Sequence, residues 1–180
     1  MSSPLVTVAM LAYKSPRWVD FAVEGLRTAD NKTQYTLMVL GNDPSPELLT
    51  SGRLTHVYND THPEHHYISR VYRAWNHAVR ECKTPWIVLY NSDMYASDFW
   101  LDELVRTKQE IPKTIPCSLL VESGRIPSAM PEYVRDHGTT PDTFNKYSWS
   151  ENSWYRRERG AMEPGRLFMP CLLECDTFLS

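Results

Sequence analysis

Asn91-Ser92-Asp93 closes the apolar run Trp86 to Tyr90, and a carboxylate at the end of a buried strand is suited to definite chemistry. It can hold Mg²⁺ or Mn²⁺ between two phosphates, because hard cations take carboxylate and phosphate oxygens together. Asp93 could instead cap a following helix, although Asp98 is the better-placed cap. Asn42-Asp43 ends a second apolar run, Tyr35 to Gly41. An acid there can accept hydrogen bonds from a nucleobase or from ribose hydroxyls, or it can serve only as the turn residue before Pro44. Ala12-Tyr13-Lys14 ends a third run, and the Tyr13 ring offers a flat face for a base to stack on.

The elements that must position these groups alternate. Leu5 to Tyr13 reads as a first strand, followed by Ser15-Pro16 as N-cap and first helical residue. The helix carries Trp18, Phe21, Ala22 and Leu26 toward the sheet and breaks near Asp30-Asn31. A short helix at Pro46 to Thr50 and a strand at Leu54 to Tyr58 come next. Ile68, Val71, Trp75, Ala78, Val79 and Cys82 then share one face of a helix that Lys83-Thr84-Pro85 ends. Trp86 to Tyr90 has the continuous apolar pattern of a strand covered on both faces. A helix from Ser97 to Gln109, a strand at Cys117 to Val121, a helix from Thr140, a strand at Leu167 to Met169 and a final helix at Cys171 to Leu179 complete the reading. Strand and helix in this order predict an α/β fold, a mostly parallel central sheet with helices on both faces. Three strand ends then meet at the carboxyl edge, where open α/β sheets bind ligands.

Composition narrows the class. The 180 residues can form one domain, and 42% hydrophobic with 23% charged residues is an ordinary globular balance. A net charge of −3 gives no reason to expect nucleic acid as a partner. No apolar run is long enough to span a membrane, and residues 1–12 lack a basic start and a cleavage site. The expected location is the cytoplasm, with peripheral contact to a membrane surface left open. The four cysteines, Cys82, Cys117, Cys171 and Cys175, read as reduced packing residues, because no histidine or second cysteine pair completes a zinc set. His62-Pro63-Glu64-His65-His66 sits in a loop at the same edge and is open to a metal role, an acceptor-sugar role or plain solvation. Its spacing fits no standard zinc site. Arg156-Arg157-Glu158-Arg159 reads as a solvated face before a phosphate patch. Residues 122–140 form a long loop rich in proline and glycine, and aromatics at Phe144, Tyr147, Trp149, Trp154 and Tyr155 follow it.

VTVAMLAYKSPRWVDFAVEGL, VLGNDPS and RVYRAWNHAVRECKTPWIVLYNSDM, in that order, resemble the nucleotide-sugar domain of type-A-fold (GT-A) glycosyltransferases, in particular the large inverting family 2. The resemblance covers about residues 5–105. It implies a Rossmann-like fold, with donor binding by residues 1–110 and an acceptor side in 111–180 of one domain, shaped by the 122–140 loop and the aromatic helix. By this match Asp43 binds the base, Arg70 lies near it and Asn76 takes the place of the helix asparagine. Asp93 is the second acid of an Asp-x-Asp or Asn-x-Asp element and holds Mn²⁺ or Mg²⁺. Asn91 stands where the first acid would be and brings no charge. The implied partners are a nucleotide-diphosphate sugar and a glycan or other hydroxyl acceptor.

Two features qualify the match. LFMPCLLECDTFLS resembles the segment just before the family's Gly-Gly turn and later acidic pair, so the catalytic base is not found unless Glu174 or Asp176 substitutes. Arg70 and Asn76 also point about 120° apart on a regular helix, and Arg73 shares a face with Asn76 more naturally. Arg73 therefore rivals Arg70 for a base or phosphate contact. Two other functions stand beside glycosyl transfer. A non-catalytic nucleotide-sugar or glycan-binding remnant is favoured by the absent acid pair. A sugar nucleotidyltransferase is disfavoured because LAYKSPRW has no glycine for a phosphate loop.

Overall fold

A computed structural model describes residues 5–13, 15–118, 122–123, 134–153 and 170–175. The element order is β1 (Val6–Ala12), α1 (Pro16–Thr28), β2 (Tyr35–Asn42), α2 (Pro46–Thr50), β3 (His56–Tyr58), α3 (Tyr67–Glu81), β4 (Trp86–Asn91) and α4 (Trp100–Glu110). Two short strands, β5 (Glu122–Ser123) and β6 (Val134–Arg135), the helix α5 (Lys146–Ser153) and the strand β7 (Cys171–Glu174) follow. The main sheet has the order β3-β2-β1-β4-β7, and β5 pairs with β6 separately. Every pairing in the main sheet is parallel except β4 with β7.

The alternation of β1 builds two cores. Val6, Val8, Met10 and Ala12 face α1 and α4, where Val19, Ala22, Leu26, Leu101 and Leu104 cover them. Ala9 and Leu11 face the opposite way, onto Ala74, Trp75, Ala78 and Val79 of α3. β1 is therefore buried on both faces along its length, and each large side chain there contributes about 1.5–3 kcal/mol. Helices on both faces of a mostly parallel sheet are the architecture the sequence predicts. Gly25 lets α1 approach the segment beyond β4: a Cβ there would lie 2.9 Å from the Tyr95 ring and 3.0 Å from the Ala96 nitrogen.

Several elements differ from the sequence reading, among them the helix expected from Thr140, which begins at Lys146. The final helix expected over Cys171 to Leu179 is instead β7 at its described start. Leu172 and Leu173 pair with Val88 and Ile87, so the open edge of β4 overrides the helix-like spacing of the cysteines. Of the strand expected at Cys117 to Val121, Cys117 forms a single antiparallel bridge with Cys171, and residues 119–121 lie outside the described residues. The strand expected at Leu167 to Met169 also lies outside them. α4 begins at Trp100 rather than Ser97, behind Phe99 in a left-handed conformation.

Candidate functional site

A cleft of about 840 Å³ opens at the carboxyl ends of β1, β2 and β4. Leu11, Ala12 and Tyr13 line it from β1, Asn42 from β2, and Asn91, Ser92 and Asp93 from β4. Ser15 and Trp18 close one side, and Tyr67, Arg70 and Val71 of α3 the other. Parallel register accounts for the convergence, since Ala12 lies beside Gly41 and Leu11 beside Asn91. The ends of β2 and β4 flank β1 and are thus roughly 10 Å apart. Tyr13 is 49% exposed, enough for its ring to meet a ligand.

Asp43 shapes the β2 side. It adopts a φ of 46°, a left-handed value that Asp tolerates better than most residues. Its backbone N–H donates to the Tyr58 carbonyl at 2.9 Å, and its Oδ1 accepts from the Asp60 N–H at 2.8 Å. Its Oδ2 accepts from Arg70, forming an ion pair across to α3. Arg70 occupies the first turn of α3, where it can line the cleft, whereas Asn76 is solvent-exposed and outside the lining. The structure thus brings Arg70 to Asp43 and sets Asn76 apart, as their angular separation requires.

Arg73 is engaged elsewhere. Its Nε donates to both Asp60 oxygens, at 3.1 and 2.9 Å, and its Nη2 reaches the His62 carbonyl. Burial pushes the Asp60 carboxyl up, but hydrogen bonds from Arg73 and the His62 N–H outweigh it and hold the group below its ordinary value. The sequence reading did not single out Asp60. A carboxylate in a polar loop carries no signal until the fold shows that its side chain is fully covered.

Asp93 is the contrasting acid. No ion pair reaches it among the described residues, and α4 begins seven residues later, so it caps no helix. Asp98 is not the cap either: its Oδ1 accepts from the Asp30 N–H at 2.8 Å. The Asp93 residue opens to solvent through the cleft mouth, while the walls around its carboxyl desolvate it and lift it above its ordinary value. Charge then decides what can enter. Arg70 is the one cation among the described lining residues, and Asp43 already neutralises it. A diphosphate beside Asp93 therefore needs an added cation.

The donor set fits such a cation. Asp93 and Asn91, two residues apart at one strand end and both lining the cleft, are residue types that offer hard oxygen ligands, too few for an all-protein cage. Mg²⁺ and Mn²⁺ sites commonly combine one or two carboxylates with substrate phosphates and water. Two further polar atoms of lining residues, Asn42 Oδ1 and Arg70 Nε, are buried without a hydrogen-bond partner among the described residues. One is an acceptor and the other a donor.

The weak candidates for a catalytic base divide. Glu174 pairs in register with Trp86 at the start of β4, about 16 Å along the strand from the Asn91 end. There it makes a 2.9 Å ion pair with Lys108, so it does not face the cleft. Asp176 lies outside the described residues, as do Lys14 and Arg156 to Arg159. Phe144 and Trp149 do not line the cleft. Phe144 packs with Phe21 and Tyr95, and both rings pack against His137, which is 3% exposed. His62, Glu64 and His65 bring their ligand atoms within 4.8 Å of one another on the exposed loop.

No family model and no curated protein matches the chain. Solved structures similar to it include S. aureus TarS 1-349, at 15% identity and a TM-score of 0.49 over 69% of this chain and 37% of that one. TarS 1-349 in complex with UDP-GlcNAc matches at 16% identity and a TM-score of 0.47, over 69% of this chain and 36% of that one. The mannosyltransferase PcManGT from Pyrobaculum calidifontis, in complex with GDP-Man and Mn²⁺, matches at 15% identity and a TM-score of 0.47 over 67% and 36%. The chain spans little more than a third of the length of these relatives. At such identities and TM-scores the likeness says nothing of this chain's own activity.

Proposed function

We propose that the cleft binds a nucleotide-diphosphate sugar and that the chain serves inverting glycosyl transfer to an acceptor hydroxyl. The observation that carries this reading is the separation of tasks along one edge. An aromatic face and a donor–acceptor set at Tyr13, Asn42 and Arg70 lie on the β1–β2–α3 side, and a lone carboxylate lies at the end of β4. A base and ribose suit the first group, and a metal-bound diphosphate suits the second. Asp43 fixes Arg70 from just outside the cleft lining, and its oxygens, each accepting one bond, keep acceptor capacity for a base. Asp93, with Asn91 nearby, would hold the Mn²⁺ or Mg²⁺, and Ala12 and Ser92 would line the nucleotide-sugar beside it. The cation supplies charge neutralisation for a diphosphate leaving group. A volume near 840 Å³ lies within the range of small-molecule clefts.

A second reading, binding of the same donor without transfer, is favoured by one observation. Asp93 is the one carboxylate among the described lining residues, and a metal anchor cannot also deprotonate the acceptor. Incubation with UDP-, GDP- and dTDP-sugars, Mn²⁺ and a panel of glycan acceptors separates the two. Release of nucleoside diphosphate is the outcome expected for a transferase. Binding without release supports the second reading, and neither binding nor release overturns both.

A further inference from the structure

All four cysteines of the chain meet in two pairs around β7. At its carboxyl end, Cys175 Sγ lies 2.8 Å from Cys82 Sγ, a residue 93 positions earlier at the C-cap of α3. The Cys175 N–H donates to the Pro85 carbonyl at 3.0 Å, which fixes its backbone beside the turn that follows Cys82. At the other end, Cys171 bridges to Cys117 in antiparallel register. The flanking bonds are Ser118 N–H to Pro170 C=O at 2.8 Å and Leu172 N–H to Pro116 C=O at 2.9 Å. Cys117 and Cys171 therefore form a non-hydrogen-bonded pair, where antiparallel Cα atoms approach to about 4.5 Å. A disulfide accepts Cα separations of about 4.4–6.8 Å. All four are thiols in this structure.

We propose that Cys82–Cys175 and Cys117–Cys171 are two reversible disulfide sites that fasten both ends of β7 when the protein meets a small-molecule disulfide oxidant. In each pair, one thiolate attacks the oxidant's S–S bond and expels one thiol. The second cysteine then attacks the resulting mixed disulfide and expels the other. Two protein thiols and one oxidant disulfide thus become one protein disulfide and two small thiols, with electrons and protons balanced.

Exposure sets the order of attack. Cys82 is half-buried and reachable, whereas Cys175 is 4% exposed and is suited to the second step. Burial pushes the Cys82 thiol up, but hydrogen bonds involving Cys175, Thr84 and Thr7 outweigh it and leave the group below its ordinary value. The shift raises the thiolate fraction of the residue that attacks first. The two pairs stay distinct: among the described residues no cysteine belongs to a group of three metal-ligating atoms. Both crosslinks join segments distant in sequence, so they restrict the unfolded chain and raise the melting temperature.

The test incubates the full chain with oxidised glutathione, alkylates the remaining thiols and maps crosslinked peptides by mass spectrometry. The expected result is loss of all four reactive thiols, crosslinked peptides containing 82 with 175 and 117 with 171, a raised melting temperature, and full reversal by dithiothreitol. The variant C82A keeps the buried Cys175 and is expected to lose one crosslink and retain the other. Thiols that stay fully alkylatable, stable glutathione adducts in place of crosslinks, or other pairings with an unchanged near-ultraviolet spectrum would overturn the proposal.

Discussion

Two acids at opposite ends of one sheet are held in opposite ways. At the amino end of β4, Glu174 pairs with Lys108, whose ammonium also donates to the Pro112 and Thr114 carbonyls at 2.6 and 3.0 Å. The charge buried there has partners, and the arrangement ties α4 to its following turn and to β7. At the carboxyl end, Asp93 has no cation among the described residues and sits where its ionised form is disfavoured. An acid held in this way weakens the fold and gains only when a ligand arrives. The carboxyl end also holds paired charges, Asp43 with Arg70 and Asp60 with Arg73, so the contrast lies between Glu174 and Asp93 rather than between whole ends.

This contrast breaks most sharply at Asp93. The variant D93A is expected to abolish Mn²⁺-dependent nucleotide binding in calorimetry while leaving the circular dichroism spectrum unchanged. Unchanged affinity would put the metal elsewhere. K108A should do the reverse: about 1–3 kcal/mol lost in denaturant unfolding, from carbonyls and a carboxylate left without their donor, and the same nucleotide affinity.

Acid titration separates two carboxylates at the cleft end itself. Asp60 is held below its ordinary value, so its contribution to stability is present above the normal carboxylate range and is lost as pH falls through its lowered value. Asp93 is lifted, so its contribution is present at low pH and is lost as pH rises through its raised value. D60N is therefore expected to lower the melting temperature at pH 7 and D93N to raise it. Both differences should shrink in strong acid, and equal signs at pH 7 would contradict the assignment. The smallest expected effect is Y13A. Loss of a stacking face is worth about 0.5–1.5 kcal/mol, up to roughly tenfold in nucleotide Kd, with no change in melting temperature.

The parts of this design visible in the sequence are those with strong periodicity. The runs ending at Tyr13, Gly41 and Tyr90 are buried parallel strands, and the face Val71-Trp75-Ala78-Val79 is the packed face of α3. Their order was enough to bring Tyr13, Asn42 and Asp93 to one edge. What the sequence concealed depends on tertiary partners. Cys171 to Glu174 has helical spacing yet becomes a strand because β4 offers it an edge. Trp18, whose spacing predicts the sheet side of α1, lines the cleft and packs edge-on against Phe21 at 5.6 Å. Asp60 carries no signal until the β3–α3 loop folds it onto Arg73, the residue the sequence offers as a rival base or phosphate contact.

The central claim is that Asp93 recruits a metal so that a diphosphate can enter beside it. Calorimetric titration of UDP, GDP and dTDP into the protein, with Mn²⁺ and with the metal chelated, tests it most directly. The account predicts saturable binding of at least one nucleotide with Mn²⁺ and its loss on chelation. Binding that survives chelation unchanged, or no binding of any of the three with Mn²⁺, would contradict it.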